Sequence, residues 1–187
     1  MAFFRAIYYF FSHYTDPSER RVGKFFKRVD ERTSPHQLEK SLQLLLQQDT
    51  AVINLWTEYR YKGYNYLTKK KRKELYQNLA AIYDDLTAFA QTQTVDIKHE
   101  IAKIGELGVD TAKLRLYPDQ FQHLVLIQRY LAPRRGLYIY RASSSFGRLL
   151  RDPTREKLEG DCNQIVTLYL ALYAQKYTVS DLKLTLY

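Results

Sequence analysis

The chain has 187 residues, 45% of them hydrophobic and 26% charged, which excludes a disordered polypeptide and gives one domain's worth of core without disulfide or metal staples. Lys and Arg number 29 against 20 Asp and Glu, a formal charge of +9 that favours anionic partners: nucleic acid, an anionic membrane face or an acidic protein. The single cysteine, Cys162, excludes an intramolecular disulfide and suits a reducing, cytoplasmic setting.

No stretch reaches the ~20 apolar residues that cross a bilayer. The opening run, Ala2 to Phe11, carries Arg5 and no small-x-small cleavage site, so no signal peptide is expected there. A helix lying on a membrane usually shows a basic polar face, and here there is one arginine. A helix docking on the chain's own core is the expected reading. Asp16-Pro17-Ser18-Glu19 has the cap-then-proline form of a helix start, followed by a stripe of Val22, Phe25, Phe26 and Val29. Ser34-Pro35 repeats the signal before Leu38, Leu42, Leu45 and Leu46. A third helix is expected over 51–60, through Val52, Leu55, Trp56 and Tyr59, ending at Lys62-Gly63-Tyr64-Asn65. Thr68 caps a longer one, 69–90, with Leu75, Leu79, Ile82, Leu86 and Phe89 on its hidden face. Shorter helices follow through Ile97, Ile101 and Ile104, and from Pro118 through Phe121, Leu124, Val125 and Ile127 to Leu131.

The pattern then changes. Gly136 to Arg141 is rich in aromatic and β-branched residues and predicts the first strand. The polar stretch Ala142-Ser143-Ser144-Ser145 leads to a short helix through Leu149 and Leu150 that stops near Asp152-Pro153. Gly160-Asp161 opens an apolar helix from Cys162 to about Gln175, and the alternation Val179, Leu182, Leu184, Leu186 predicts a tail strand.

Phosphate-binding glycine loops, the G-x-S-x-G nucleophile elbow, H-E-x-x-H and C-x-x-C are all absent, and no cofactor is expected. His13, His36, His99 and His123 are scattered, so no metal site is expected either. Two segments carry chemistry. In the first, Cys162 falls in the first turn of an apolar helix, where unpaired N–H groups and the positive end of the helix dipole favour a thiolate nucleophile. The bland alternative is a small core residue.

Gly160-x-Cys162 at the head of that helix, preceded by a strand, a serine-rich turn and a short helix and followed by a strand, resembles the transglutaminase-like superfamily, a branch of the papain-like cysteine enzymes. The resemblance spans about seventy residues, Pro118 to Tyr187. It implies a nucleophile at Cys162, a turn shaped by Gly160 and Asp161, thioester chemistry on a protein or peptide substrate, and a helix packed on an antiparallel sheet. The superfamily's histidine and acid both follow the cysteine helix. No histidine follows His123 here, and Asp181 falls before the tail strand, so the chain reads as a partial, truncated core with an incomplete triad. Replacement of the missing base by His123 is a minor possibility.

The second segment, Tyr59 to Lys73, holds seven cations and four tyrosines with no acid. Arg60, Lys62, Tyr64, Lys69, Lys70, Lys71, Arg72 and Lys73 can track a phosphate backbone while rings stack on bases, which makes RNA or another polyanion a candidate partner. Five of the cations sit at a helix N-terminus, where they oppose the helix dipole and imply a compensating purpose. The competing reading is a solvated first turn with tyrosines packed inward. The expected fold is α+β, predominantly α: a helical region over 1–115 followed by a partial transglutaminase-like core over 116–187. The expected function is cysteine acyl transfer or peptidase-type chemistry. The alternative is a non-enzymatic basic helical module.

Overall fold

Side-chain caps written into the sequence set most helix starts. The computed structural model describes residues 2–29, 32–46, 49–142, 144–179 and 182. An opening helix α1 (Ala2–Phe11) leads to α2 (Pro17–Arg28), where Asp16 accepts the backbone N–H groups of Ser18 and Glu19. Helix α3 (Pro35–Leu46) follows, and Asp49 and Thr68 cap α4 (Thr50–Arg60) and α5 (Lys69–Gln91) in the same way. Asp96 caps α6 (Ile97–Glu106); a single turn, α7 (Ala112–Leu116), precedes α8 (Pro118–Tyr130). Up to α8 each expected helix is present within two residues of its expected ends, whereas α7 had no strong apolar stripe to announce it.

The expected strand narrows to β1 (Tyr138–Tyr140). Its partner, β2 (Leu158–Gly160), was not anticipated because Leu-Glu-Gly has no period-two signal. The two are parallel, pairing Tyr138 with Leu158, Ile139 with Glu159 and Tyr140 with Gly160. A parallel pair needs a crossover. Here it contains α9 (Phe146–Leu149), and one residue after β2 the last helix begins, α10 (Cys162–Ala174). The fold is thus mainly helical with one small sheet among the described residues.

One core crosses the expected boundary at residue 115, which lies within α7. It gathers Leu55, Leu75, Ile82 and Leu86 from the front of the chain with Ile127, Tyr130, Leu149, Leu168 and Leu172 from the back. Helix α10 lies against α4, α8 and α9. A second cluster, Val22, Val52 and Trp56, joins α2 to α4. Burying these nine side chains removes on the order of 20 kcal/mol of apolar hydration, most of which offsets chain entropy.

Two expectations change. Helix α1 is held by its C-terminal end, since the Lys69 ammonium donates to the carbonyls of Tyr9, Phe10 (2.9 Å) and Ser12 (2.6 Å). Its apolar side chains Ile7, Phe10 and Phe11 face out rather than docking on the core. In the tail, the Tyr177 N–H donates to Tyr173 and the Leu182 N–H to Val179, so residues 177–179 turn where a strand was expected. Ser143, Asp181, Leu184 and Leu186 lie outside the described residues.

Candidate functional site

The strand–crossover–strand unit delivers Cys162 to the surface. Tyr138 on β1 donates its hydroxyl to the Gly160 carbonyl on β2, fixing the residue just before the turn. Burial raises the Tyr138 hydroxyl above its ordinary range, with Asp161, Tyr140 and Cys162 adding in the same direction, so it stays protonated as a donor. Gly160 is tightly packed: a Cβ there would sit 3.2 Å from both Gln164 Cβ and Leu149 Cδ1, so a side chain would need those neighbours to give by a few tenths of an ångström. Asp161 then closes a capping box, its carboxylate accepting Asn163 N (2.8 Å) and Gln164 N (3.3 Å), while Gln164 Oε1 accepts Asp161 N (2.8 Å). Cys162 is the first residue of the thirteen in α10, and its thiol is exposed.

Ile165, Val166, Tyr169 and Leu170 stand three, four, seven and eight residues beyond Cys162 and therefore share its helical face. With Leu124 and Leu131 of the α8 region they line an apolar groove of about 570 Å³, within the usual size of a ligand cleft. His123 is elsewhere. It is buried near the other end of α10, its ring 5.6 Å from Tyr177 and 6.1 Å from Tyr173. At 1.5 Å per residue, the Leu172 level is about 15 Å along the axis from Cys162, which removes His123 as the base for this thiol. Its Nε2 has no hydrogen-bond partner, and burial lowers its basicity more than the Leu172 carbonyl restores it.

The basic segment is divided by the fold. Arg72 is 1% exposed, so it is not a surface cation and its place in a nucleic-acid contact is withdrawn. Its guanidinium donates Nε to Glu19 Oε1 (2.5 Å), Nη2 to Glu19 Oε2 (3.2 Å) and the His13 carbonyl (3.0 Å), and Nη1 to the Leu67 carbonyl (2.8 Å). It stacks 4.5 Å from the Tyr59 ring centre, and Tyr76 donates its hydroxyl to the same carboxylate (3.1 Å). Lys69 is spent on the end of α1, and Lys71 pairs with Glu74. These contacts are the compensating purpose of cations at the α5 N-terminus. Arg60, Lys62, Lys70 and Lys73 remain exposed, with Tyr64 half-buried. Lys62 is itself 3.9 Å from Glu58.

Glu58 was missed. It is 2% exposed and its two oxygens accept the N–H groups of Phe146 (2.7 Å) and Gly147 (2.9 Å), tying α4 to the start of α9. Burial holds its carboxyl above the usual range against those lowering bonds. The available signal was position: Glu58 follows Leu55 by three residues, and Glu19 and Arg72 each precede an apolar stripe residue, Val22 and Leu75, by three. Among the described residues no group of three or more His, Cys, Asp or Glu is placed to hold a metal, and no helix is long and apolar enough to cross a membrane. Comparison with protein-family models, with curated proteins and with solved structures finds no match.

Proposed function

We propose that Cys162 is the nucleophile of a cysteine acyl-transfer centre of the transglutaminase-like kind, acting on a protein or peptide. The observation that carries this reading is the exposed Cys162 at the head of α10, three residues before Ile165, the first α10 residue of an apolar groove that Cys162 itself does not line. A packing cysteine needs neither the exposure nor the groove. In the reaction the thiol surrenders its proton, Sγ bonds to the acyl carbonyl carbon, and the amine or alcohol leaves with a proton, giving a thioester. Water or an amine then takes the acyl group and restores the thiol. The groove seats the acyl donor's apolar side chain, while the capping box and Tyr138 keep the nucleophile's backbone still. His123 does not relay the proton, for the distance given above.

The test is acylation of the whole chain by an activated ester carrying an apolar acyl group, followed by intact mass and peptide mapping. Folded protein is expected to gain the acyl group at Cys162 at least about tenfold faster than the same chain in denaturant, and Cys162→Ser abolishes the adduct. A folded-state rate equal to or below the unfolded rate refutes the proposal.

A further inference from the structure

The opening helix carries an apolar face without a cover and, beside it, a cationic face that its own sequence does not contain. Ile7, Phe10 and Phe11 follow i, i+3, i+4 spacing, and the two phenylalanines are 77% and 82% exposed, their rings edge to face at 5.0 Å. Tyr8, at 46%, adjoins Ile7 and meets α2, with the Arg20 guanidinium 5.1 Å from its ring centre. Between the two helices lies a concavity of about 370 Å³ whose walls are Tyr8 and Tyr9 on one side and Arg20, Arg21 and Lys24 on the other. Helix α2 adds Lys27 and Arg28, both exposed, and its only acid, Glu19, is turned inward onto Arg72. The result is an aliphatic and aromatic ridge flanked by a concave cluster of cations.

We propose that this α1–α2 surface binds an anionic phospholipid bilayer, with Phe10, Phe11 and Ile7 entering the acyl boundary and lipid phosphates resting in the concavity between the tyrosines and Arg20, Arg21 and Lys24. The membrane is favoured over RNA because Ile7 is aliphatic and the two phenylalanines carry no hydrogen-bonding group, so the ridge they share contributes apolar insertion and reads no base edge. It is favoured over a second copy because a self-docked α2 would bring like charges together. Interfacial helices combine these two terms, apolar burial and attraction of Lys and Arg to anionic headgroups. The basic face that the sequence of α1 lacks is supplied by α2, which is why the sequence alone argued against a membrane contact.

The test is co-sedimentation of the full chain with vesicles of phosphatidylcholine alone and of phosphatidylcholine with about one-third phosphatidylserine. Binding is expected at least about tenfold stronger to the anionic vesicles, falling as salt rises from about 0.1 M to about 1 M and the screening length shrinks from about 10 Å to about 3 Å. Phe10→Ser with Phe11→Ser is expected to lower binding to anionic vesicles at least tenfold, since each buried phenylalanine is worth about that factor. Those rings are mostly exposed and belong to none of the hydrophobic clusters among the described residues, and the Lys69 anchor uses only main-chain carbonyls, so the far-UV circular dichroism is expected to stay unchanged. Arg20→Glu with Lys24→Glu is expected to remove the preference for anionic lipid. Absence of vesicle binding overturns the proposal. So does binding that survives the phenylalanine substitutions, tighter binding to single-stranded RNA through the same cations, or a solution dimer that the phenylalanine substitutions dissolve.

Discussion

Replacing Arg72 by methionine tests whether the basic segment serves the fold or a ligand. The substitution keeps most of the apolar stem but removes the guanidinium, leaving the Glu19 carboxylate, 0% exposed, with only the Tyr76 hydroxyl and the Thr15 N–H (2.6 Å) as donors. It also strands the Leu67 and His13 carbonyls. Removing one partner of a buried ion pair costs about 3–5 kcal/mol, roughly a fifth or more of the roughly 5–15 kcal/mol that a domain has. Urea unfolding followed by the fluorescence of Trp56, the only tryptophan, reports this directly because its ring lies 5.2 Å from the Arg72 guanidinium carbon. Glu19→Gln alone is expected to be similarly damaging, and the double variant less so than the sum, with a coupling of about 1–3 kcal/mol. Arg72→Lys should recover only part of the loss, since one ammonium cannot reach both carboxylate oxygens and two carbonyls. A loss below about 1 kcal/mol for Arg72→Met, or strict additivity in the cycle, refutes the reasoning. So does an Arg72 variant of unchanged stability that loses affinity for RNA.

Two further outcomes follow from burial. His123 binds its proton less readily folded than unfolded because of burial, so its contribution to stability is present above about pH 6.5 and lost as pH falls through its lower folded value. His123→Phe, which keeps ring contacts with Tyr173 and Tyr177, should flatten the fall in urea midpoint below pH 6.5; an unchanged pH profile refutes this. At Gly23, helix propensity alone makes alanine better by about 1 kcal/mol, but a Cβ there would collide with the Tyr14 ring and stand 2.9 Å from Trp56 Cζ2. Those two rings are stacked at 5.3 Å and cannot both give way, so Gly23→Ala is expected to lose about 1–3 kcal/mol net in urea unfolding, and a gain refutes the packing.

The helices were legible because caps and stripes are local. Asp16, Asp49, Thr68, Asp96 and Asp161 each sit within three residues of the amides they accept. Cys162 was legible for the same reason: Gly-Asp-Cys states its own turn. What failed to show was long-range. The Glu19 and Arg72 pair spans 53 residues, and Glu58 reaches 88 residues to Phe146; no sequence spacing announces which distant element will accept a charge. Strand β2 was hidden because a three-residue strand buried by its neighbours has no alternation to read. Within the basic run Arg72 misled, because residue type was read as exposure although the stripe of Leu75, Leu79 and Ile82 extends back one turn to it.

The distribution of acids changes what the surplus of cations means. Glu19 and Glu58, both drawn from charged helices, are used as internal fasteners, one for a guanidinium and one for two peptide N–H groups. Helix α2 therefore has five basic side chains and one acid in sequence, but turns the acid inward and the bases outward. The opposite happens at the start of α5, where a block of five cations gives up Arg72 to the interior, Lys69 to α1 and Lys71 to Glu74. Folding thus thins the positive surface of the first segment, which keeps Arg60, Lys62, Lys70 and Lys73 exposed, and sets beside it a second one on α2 with Arg21, Lys24, Lys27 and Arg28 exposed. The α2 cations lie beside α1, where Arg20 meets the Tyr8 ring and where Phe10 and Phe11 are also exposed.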